Sequence, residues 1–148
     1  ENKDKEMEAE KKTDWIMPVN GRISSEYGYR LAPTKGASEN HNGWDVKVPI
    51  GTPIKAIADG KVCAVGPASG YGYWVAIDHG KINGKTVTSE YGHISKWLVK
   101  YGQVVKQGQI IAISGNTGRS TGPHLHLTLR EGPFQGKAVP PSKYLQNE

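Results

Sequence analysis

Cysteine is almost missing from this chain. Cys63 is the only one in 148 residues, so no intrachain disulfide can form. That fits the cytosol, and equally a secreted bacterial protein that never relied on disulfides. In the apolar run DGKVCAVG, Cys63 reads as an inert buried thiol. Long apolar runs are missing too: nothing approaches the length of a membrane span. The charged start ENKDKEMEAEKK has no hydrophobic core of a signal peptide, so the expectation is a chain that begins after processing or within a longer protein. No H-E-x-x-H segment occurs, which removes the glutamate base of the familiar zinc-protease helix. No Walker loop occurs either, because SGNTGRSTG lacks the lysine and leads into a strand-like run.

What is present suits one domain of mainly β structure. The chain has 19 glycines and 9 prolines with 36% hydrophobic content, a balance that favours short strands and many turns over long helices. The formal net charge is +5, so anionic partners are expected: nucleic acid, anionic wall polymers or acidic lipid heads. No basic cluster interleaved with aromatics appears, which argues against specific nucleic-acid binding. Residues 1–14 hold six acids and four bases with almost no apolar content, and read as a charged linker or tail. The domain is expected over 15–148, and its excess charge is positive.

Turn signals divide that domain into strands. Asn83-Gly84 separates YWVAIDHGKI from KTVTSEYGHI, and Asp59-Gly60 separates TPIKAIA from KVCAVG, so both pairs are expected to form antiparallel hairpins. Ile94, Trp97, Leu98 and Tyr101 in ISKWLVKYG have helical spacing and predict one or two helical turns, the only helix expected. QIIAIS and HLHLTLR are expected strands flanking the loop GNTGRSTGP.

The histidines carry the chemistry. In a strand, residues two apart point to one side, so His124 and His126 share a face while Leu125, Leu127 and Leu129 turn to the core. By itself such a pair is either a polar sheet face or a metal or catalytic site. In HNGWDV, His41 and Asp45 stand four apart around Gly43, and a turn entering a strand would bring the two side chains together. A neutral imidazole and a carboxylate are good zinc ligands, and with one distant histidine they would make a three-ligand, one-water centre. His93 ends a predicted strand and reads alone as a surface or capping residue. His79 reads as structural, and Asp59 and Asp78 as turn residues.

Taken in order, H-x-x-x-D at 41–45, YGH at 91–93 and G-x-T-G-x-S-T-G-P-H-L-H at 115–126 resemble the M23 family of zinc metallopeptidases, the lysostaphin-like and LytM-like cell-wall endopeptidases. Agreement runs from about Asn20 to Glu131 and includes GTPIKAIADGKV and YGQVVKQGQIIAISGNTG. The resemblance implies a compact antiparallel β-sheet or sandwich-like domain with a groove and at most one short helix. It implies that His41, Asp45 and His126 bind one catalytic Zn²⁺, and that His93 and His124 are the catalytic pair. The expected substrate is a peptide bond in the stem peptides or cross-bridges of peptidoglycan, in the cell wall or envelope outside the cell or on a phage particle. A monomeric domain of a longer protein is expected. Tyr91 matches the tyrosine that precedes the catalytic histidine. The sequence departs from the family after Arg30, where Leu31, Ala32 and Pro33 replace a His-Pro, which bears on substrate contacts.

Two rival readings remain at this point. An inactive M23-like scaffold or partner-binding domain would lack one or more ligands, whereas all are present here. A lipoyl- or biotinyl-type carrier would explain PIKAIADGKV with Lys61 at a turn, and leaves the histidines unexplained.

Overall fold

Glycine and proline interrupt the chain so often that strands joined by turns make up almost all of its regular structure. The computed structural model describes residues 14–25, 28–29, 40–41, 43–68, 71–118, 122–133 and 136–145, the side chains of 25, 28, 29, 40 and 41 excepted. In chain order the strands are β1 (Arg22–Ser25), β2 (Gly28–Tyr29), β3 (Asn40–His41), β4 (Trp44–Lys47), β5 (Pro53–Lys55), β6 (Gly60–Ala68), β7 (Gly72–Ile82), β8 (Lys85–Trp97), β9 (Val104–Val105), β10 (Ile110–Ser114), β11 (Leu125–Glu131) and β12 (Lys137–Val139). A single 3₁₀ turn at Pro141–Lys143 is the only helix among the described residues. The mainly antiparallel β architecture expected from the sequence is the one found.

The main sheet runs β1-β4-β11-β8-β7-β6-β9, with β10 joining β8 to β5 and β12 lying along β11; β2 and β3 form a separate ribbon. Its longest ladder is the β7–β8 hairpin, closed where Ile82 faces Lys85. Asn83 and Gly84 between them have φ of 52° and 88°, the left-handed pair that a two-residue type I′ turn requires.

Two expectations fail. Ile94–Trp97 continues β8 instead of turning helical, because β10 takes its backbone groups: Ile94 pairs with Ser114, Lys96 with Ile113 and Trp97 with Ala112, and the Leu98 amide donates to the Ile111 carbonyl at 2.8 Å. Asp59-Gly60 does not close a hairpin either, since β5 pairs with β10 and β6 with β7 and β9. Residues 56–58 cross the core irregularly, with the Ile57 amide donating to the Tyr91 hydroxyl at 3.2 Å. Gly60 serves close approach here: a Cβ would lie 2.5 Å from Ile77 Cγ2.

The predicted alternation of β11 is realised. Leu125, Leu127 and Leu129 are fully buried, in one core with Val46, Ile54, Ile57, Ile77, Tyr91 and Ile111. Each such side chain removed from water contributes about 1.5–3 kcal/mol, which pins the register of β11 and therefore the direction of its other face. That face carries His126, Thr128 and Arg130, directly opposite Gly92, Glu90 and Thr88 of β8, with Asp45 of β4 on the other flank of His126. The segment before β1 is stitched onto this body by Ile16 N–H to the Ile57 carbonyl at 3.1 Å and by Trp15 stacking on Tyr144 at 5.1 Å.

Candidate metal centre

The ladder between β4 and β11 sets Asp45 beside His126, and their side chains meet: His126 Nδ1 lies 2.9 Å from Asp45 Oδ1. The approach to β4 depends on Gly43, where a Cβ would stand 2.1 Å from the Leu127 carbonyl oxygen, so no side chain fits while β4 and β11 stay paired. His124 stands one residue before β11. Its Nδ1–H donates to the Gly122 carbonyl at 2.8 Å, which fixes the tautomer and turns Nε2 toward Asp45 Oδ1, 3.3 Å away. One carboxylate oxygen thus faces nitrogen atoms of both rings of the HLH stretch.

His93 reaches the same place from β8. It has φ 61°, a left-handed backbone that costs a non-glycine residue about 1–3 kcal/mol and persists only when its surroundings enforce it. They do so at two points: its amide donates to the Tyr71 carbonyl at 2.7 Å, and its Nδ1–H donates to the Thr117 carbonyl at 2.6 Å. With Nδ1 committed as donor, Nε2 of the neutral ring is the acceptor. The ring is 4.8 Å from His124 and 6.0 Å from His126, centroid to centroid. Burial is the main cause pushing its pKa down to about 4; the Thr117 hydrogen bond opposes it, and the neighbouring histidines add to it. Far from being a surface residue, His93 is 5% exposed.

Beside these rings lies a buried polar group that the sequence reading passed over. Tyr71 donates its hydroxyl proton to Glu90 Oε1 at 3.0 Å and lies 3.1 Å from Thr128 Oγ1, while Arg130 Nε donates to Glu90 Oε2 at 2.9 Å. The signal for Thr128 and Arg130 was present, since they follow His126 at steps of two and so share its face. Nothing local marks Tyr71, which comes from the other end of β7.

The remaining sequence candidates fall elsewhere. His41 lies in β3, paired with Gly28, and its side chain is outside the described residues, as is the whole Arg30–Pro33 departure. His79 is a structural group: it donates to the Asp59 carbonyl at 2.7 Å and meets Ser89 Oγ at 2.8 Å, under the Trp15 ring. Asp78, read from the sequence as a turn residue, lies within β7, paired with Thr88, and accepts the Gly80 amide, while Asp59 accepts the amide of Gln107 from 48 residues away. Cys63, expected to be buried, is half-buried; burial, then Asp78 and Glu90, push its thiol up to about 11, which favours the protonated form. Tyr91 is core, its hydroxyl held by Ser89 and the Ile57 amide. Among the described residues no three of His, Cys, Asp and Glu form a complete metal cage. Two donors of the right chemistry, Asp45 and His126, do converge, and His41 is four residues from Asp45 along the chain.

Comparison with known proteins shows the family and the fold. Residues 39–141 match Peptidase family M23. The chain is 47% identical over 109 residues, 73% of its length, to the peptidoglycan DD-endopeptidase ShyA of Vibrio cholerae, and 42% identical over 123 residues, 83% of its length, to the DD-carboxypeptidase/endopeptidase Mpg of Neisseria meningitidis. These matches span only 24% and 27% of those relatives, about a quarter of their length. Among solved structures, the catalytic domain of the antimicrobial peptidase lysostaphin from Staphylococcus simulans superposes with a TM-score of 0.73 at 37% identity, covering 83% of this chain and 90% of that one. A zinc-containing peptidase from Vibrio cholerae gives a TM-score of 0.71 at 37% identity over 84% of this chain and 37% of that one. With the family matched over most of its length and the fold shared, the chain belongs to peptidase family M23.

Proposed function

We propose that this chain is a zinc-dependent endopeptidase acting on peptide bonds of peptidoglycan, with His41, Asp45 and His126 as metal ligands and His93 and His124 as the catalytic pair. The observation that carries it is the convergence on Asp45 Oδ1 of His126 Nδ1 at 2.9 Å and His124 Nε2 at 3.3 Å, with the His93 ring 4.8 Å from His124. The relatives named as peptidoglycan DD-endopeptidases and the zinc-containing peptidase support the substrate class and the metal. A peptidoglycan substrate puts the site of action in the cell wall or envelope.

Zinc held by His41, Asp45 and His126 would polarise a scissile carbonyl and lower the pKa of a bound water toward about 7. The chain's own residues supply the proton transfers. His93, held neutral with Nε2 as acceptor, is suited to take a proton from attacking water. His124, its ring fixed through Gly122, lies within reach of the same space and is suited to stabilise the oxyanion or protonate the leaving amine. His93 sits within β8 and His124 immediately before β11, each ring held by a hydrogen bond to a main-chain carbonyl, which limits the reorganisation the reaction requires.

Loss of Asp45 separates ligand from catalyst in the test. Asp45→Ala is expected to lose both zinc and hydrolysis of purified sacculi. His124→Ala should keep stoichiometric zinc and lose about 10²–10⁴ in turnover. A fully active His124→Ala, or wild-type protein that takes up no zinc by elemental analysis, would overturn the assignment.

A further inference from the structure

Opposite His126 in the β8–β11 ladder stands Gly92, and the space its missing side chain leaves is taken by the Tyr71 ring. A Cβ on Gly92 would lie 3.1 Å from both Cγ and Cδ1 of Tyr71. From that position the ring rests tilted on the His126 imidazole, centroids 5.3 Å apart, and meets His93 edge-on at 6.4 Å. The ring is anchored at its far end, where the hydroxyl joins Glu90 and Thr128. Glu90 is only 1% exposed, and Arg130, which compensates its charge, is itself fixed by Nη1–H to the Gly136 carbonyl at 3.0 Å. At the near end, the Tyr71 carbonyl receives the His93 amide and helps to hold that residue in its left-handed conformation.

One residue therefore touches two members of the centre by two routes, ring to His126 and main chain to His93. We propose that Tyr71 is a positioning residue of the metal centre, setting the plane of the His126 imidazole while Glu90, Thr128 and Arg130 hold Tyr71 itself. This rests on the reading of His126 as a ligand. Ligand histidines are oriented by groups around them, and disturbing those groups typically weakens metal binding about 10–100-fold. Here an aromatic face supplies one such orienting contact. Glu90 acts one step further out, through the tyrosine hydroxyl.

The test measures zinc affinity of the full chain by competition with a chelating dye, alongside the visible spectrum of the cobalt-substituted protein. Tyr71→Leu, which removes the ring and its hydroxyl, is expected to weaken zinc about 10–100-fold, shift the cobalt bands and lower kcat with KM little changed. Tyr71→Phe keeps the ring and is expected to recover most of the affinity. Gly92→Ala presses a methyl against the ring while Tyr71 itself stays unsubstituted, and is expected to weaken zinc by several-fold; it carries the test if the leucine variant does not fold. Wild-type zinc affinity and an unchanged cobalt spectrum in Tyr71→Leu, or in Gly92→Ala in its place, would show that Tyr71 only fills space. If the wild-type chain binds no zinc, the ligand reading fails first and this proposal with it.

Discussion

Among single residues, the five histidines of this chain show how one side-chain type is put to different uses by its surroundings. His93 is a buried and His79 a half-buried ring, each with Nδ1–H donating to a carbonyl, of Thr117 and Asp59 respectively. Only His93 has two other imidazoles beside it. His79 instead lies under Trp15 and against Ser89, away from the centre. Burial is the main cause holding the His79 pKa below its ordinary value of 6.5, against the opposing effects of Asp59 and Asp78. The neutral form is thus favoured in the folded state. In the unfolded chain the ring takes up its proton near 6.5, so the stability it contributes is fully present above that pH and is lost as pH falls from there toward the folded pKa. Melting curves of wild type and His79→Gln between pH 7.5 and 5 should diverge, with the wild type losing stability more steeply. Parallel curves would mean that folding leaves the His79 pKa unchanged. The sequence made the contrast between the two histidines visible only through the family resemblance: read locally, His93 looked like a surface or capping residue at a strand's end and His79 like a structural one before a hairpin.

For the strands, legibility tracked how local the cause was. The alternation of β11 and the Asn83-Gly84 turn are specified by residues within a few positions of one another, and both were readable. The partner of β5 and the path of residues 94–101 were not, because they are decided by β10, which competes for the same backbone groups from elsewhere in the chain. Trp97 and Leu98, helical by spacing, end as partly exposed residues at 37% and 48%. The same long-range pairing governs the centre, since Asp45 and His126 are 81 residues apart and meet only because β4 and β11 are neighbours. Gly43 is where this pairing is most exposed to substitution. With the Leu127 carbonyl 2.1 Å from the position of a Cβ, Gly43→Ala must push β4 away from β11. The expected result is a loss of about 1–3 kcal/mol in denaturant unfolding, as for other overpacked sites, together with loss of zinc. The control is Gly84→Ala, where φ is 88° but no atom lies within 4 Å of the new methyl. That variant should lose about 1 kcal/mol through backbone strain and keep its zinc, because the turn is remote from β4. Equal zinc uptake by both variants would break the link drawn between β4–β11 pairing and the centre.

Over the whole molecule, charge and catalysis are separable. The chain carries a net +5, and the acidic excess of residues 1–14 leaves the rest more positive still. Lys81, Lys85 and Lys137 gather around one cleft of about 470 Å³ between the β7–β8 turn and β12, with Glu131 as the acid in its lining. Glu131 is already engaged by Lys85, Lys143 and the Tyr144 hydroxyl, and those hydrogen bonds and charges outweigh burial to hold its pKa low. The groups proposed as the centre, by contrast, are largely withdrawn from water, His93 and His126 buried and Asp45 and His124 half-buried. Surface charge acts on a polyanionic wall over a screening length of about 10 Å at 0.1 M salt, shrinking to about 3 Å at 1 M, whereas short contacts inside the centre are little affected. Raising salt across that range should therefore release the protein from purified walls bearing anionic polymers, as read by co-sedimentation, while kcat/KM on a soluble uncharged peptide substrate changes little. Replacing Lys81, Lys85 and Lys137 together by Gln should flatten the salt dependence of wall binding and leave peptide hydrolysis intact, since none of the three approaches Asp45, His93, His124 or His126 in the described contacts. Were the triple variant to bind walls with the wild-type salt response, the positive charge that matters would have to lie on other faces of the sheet.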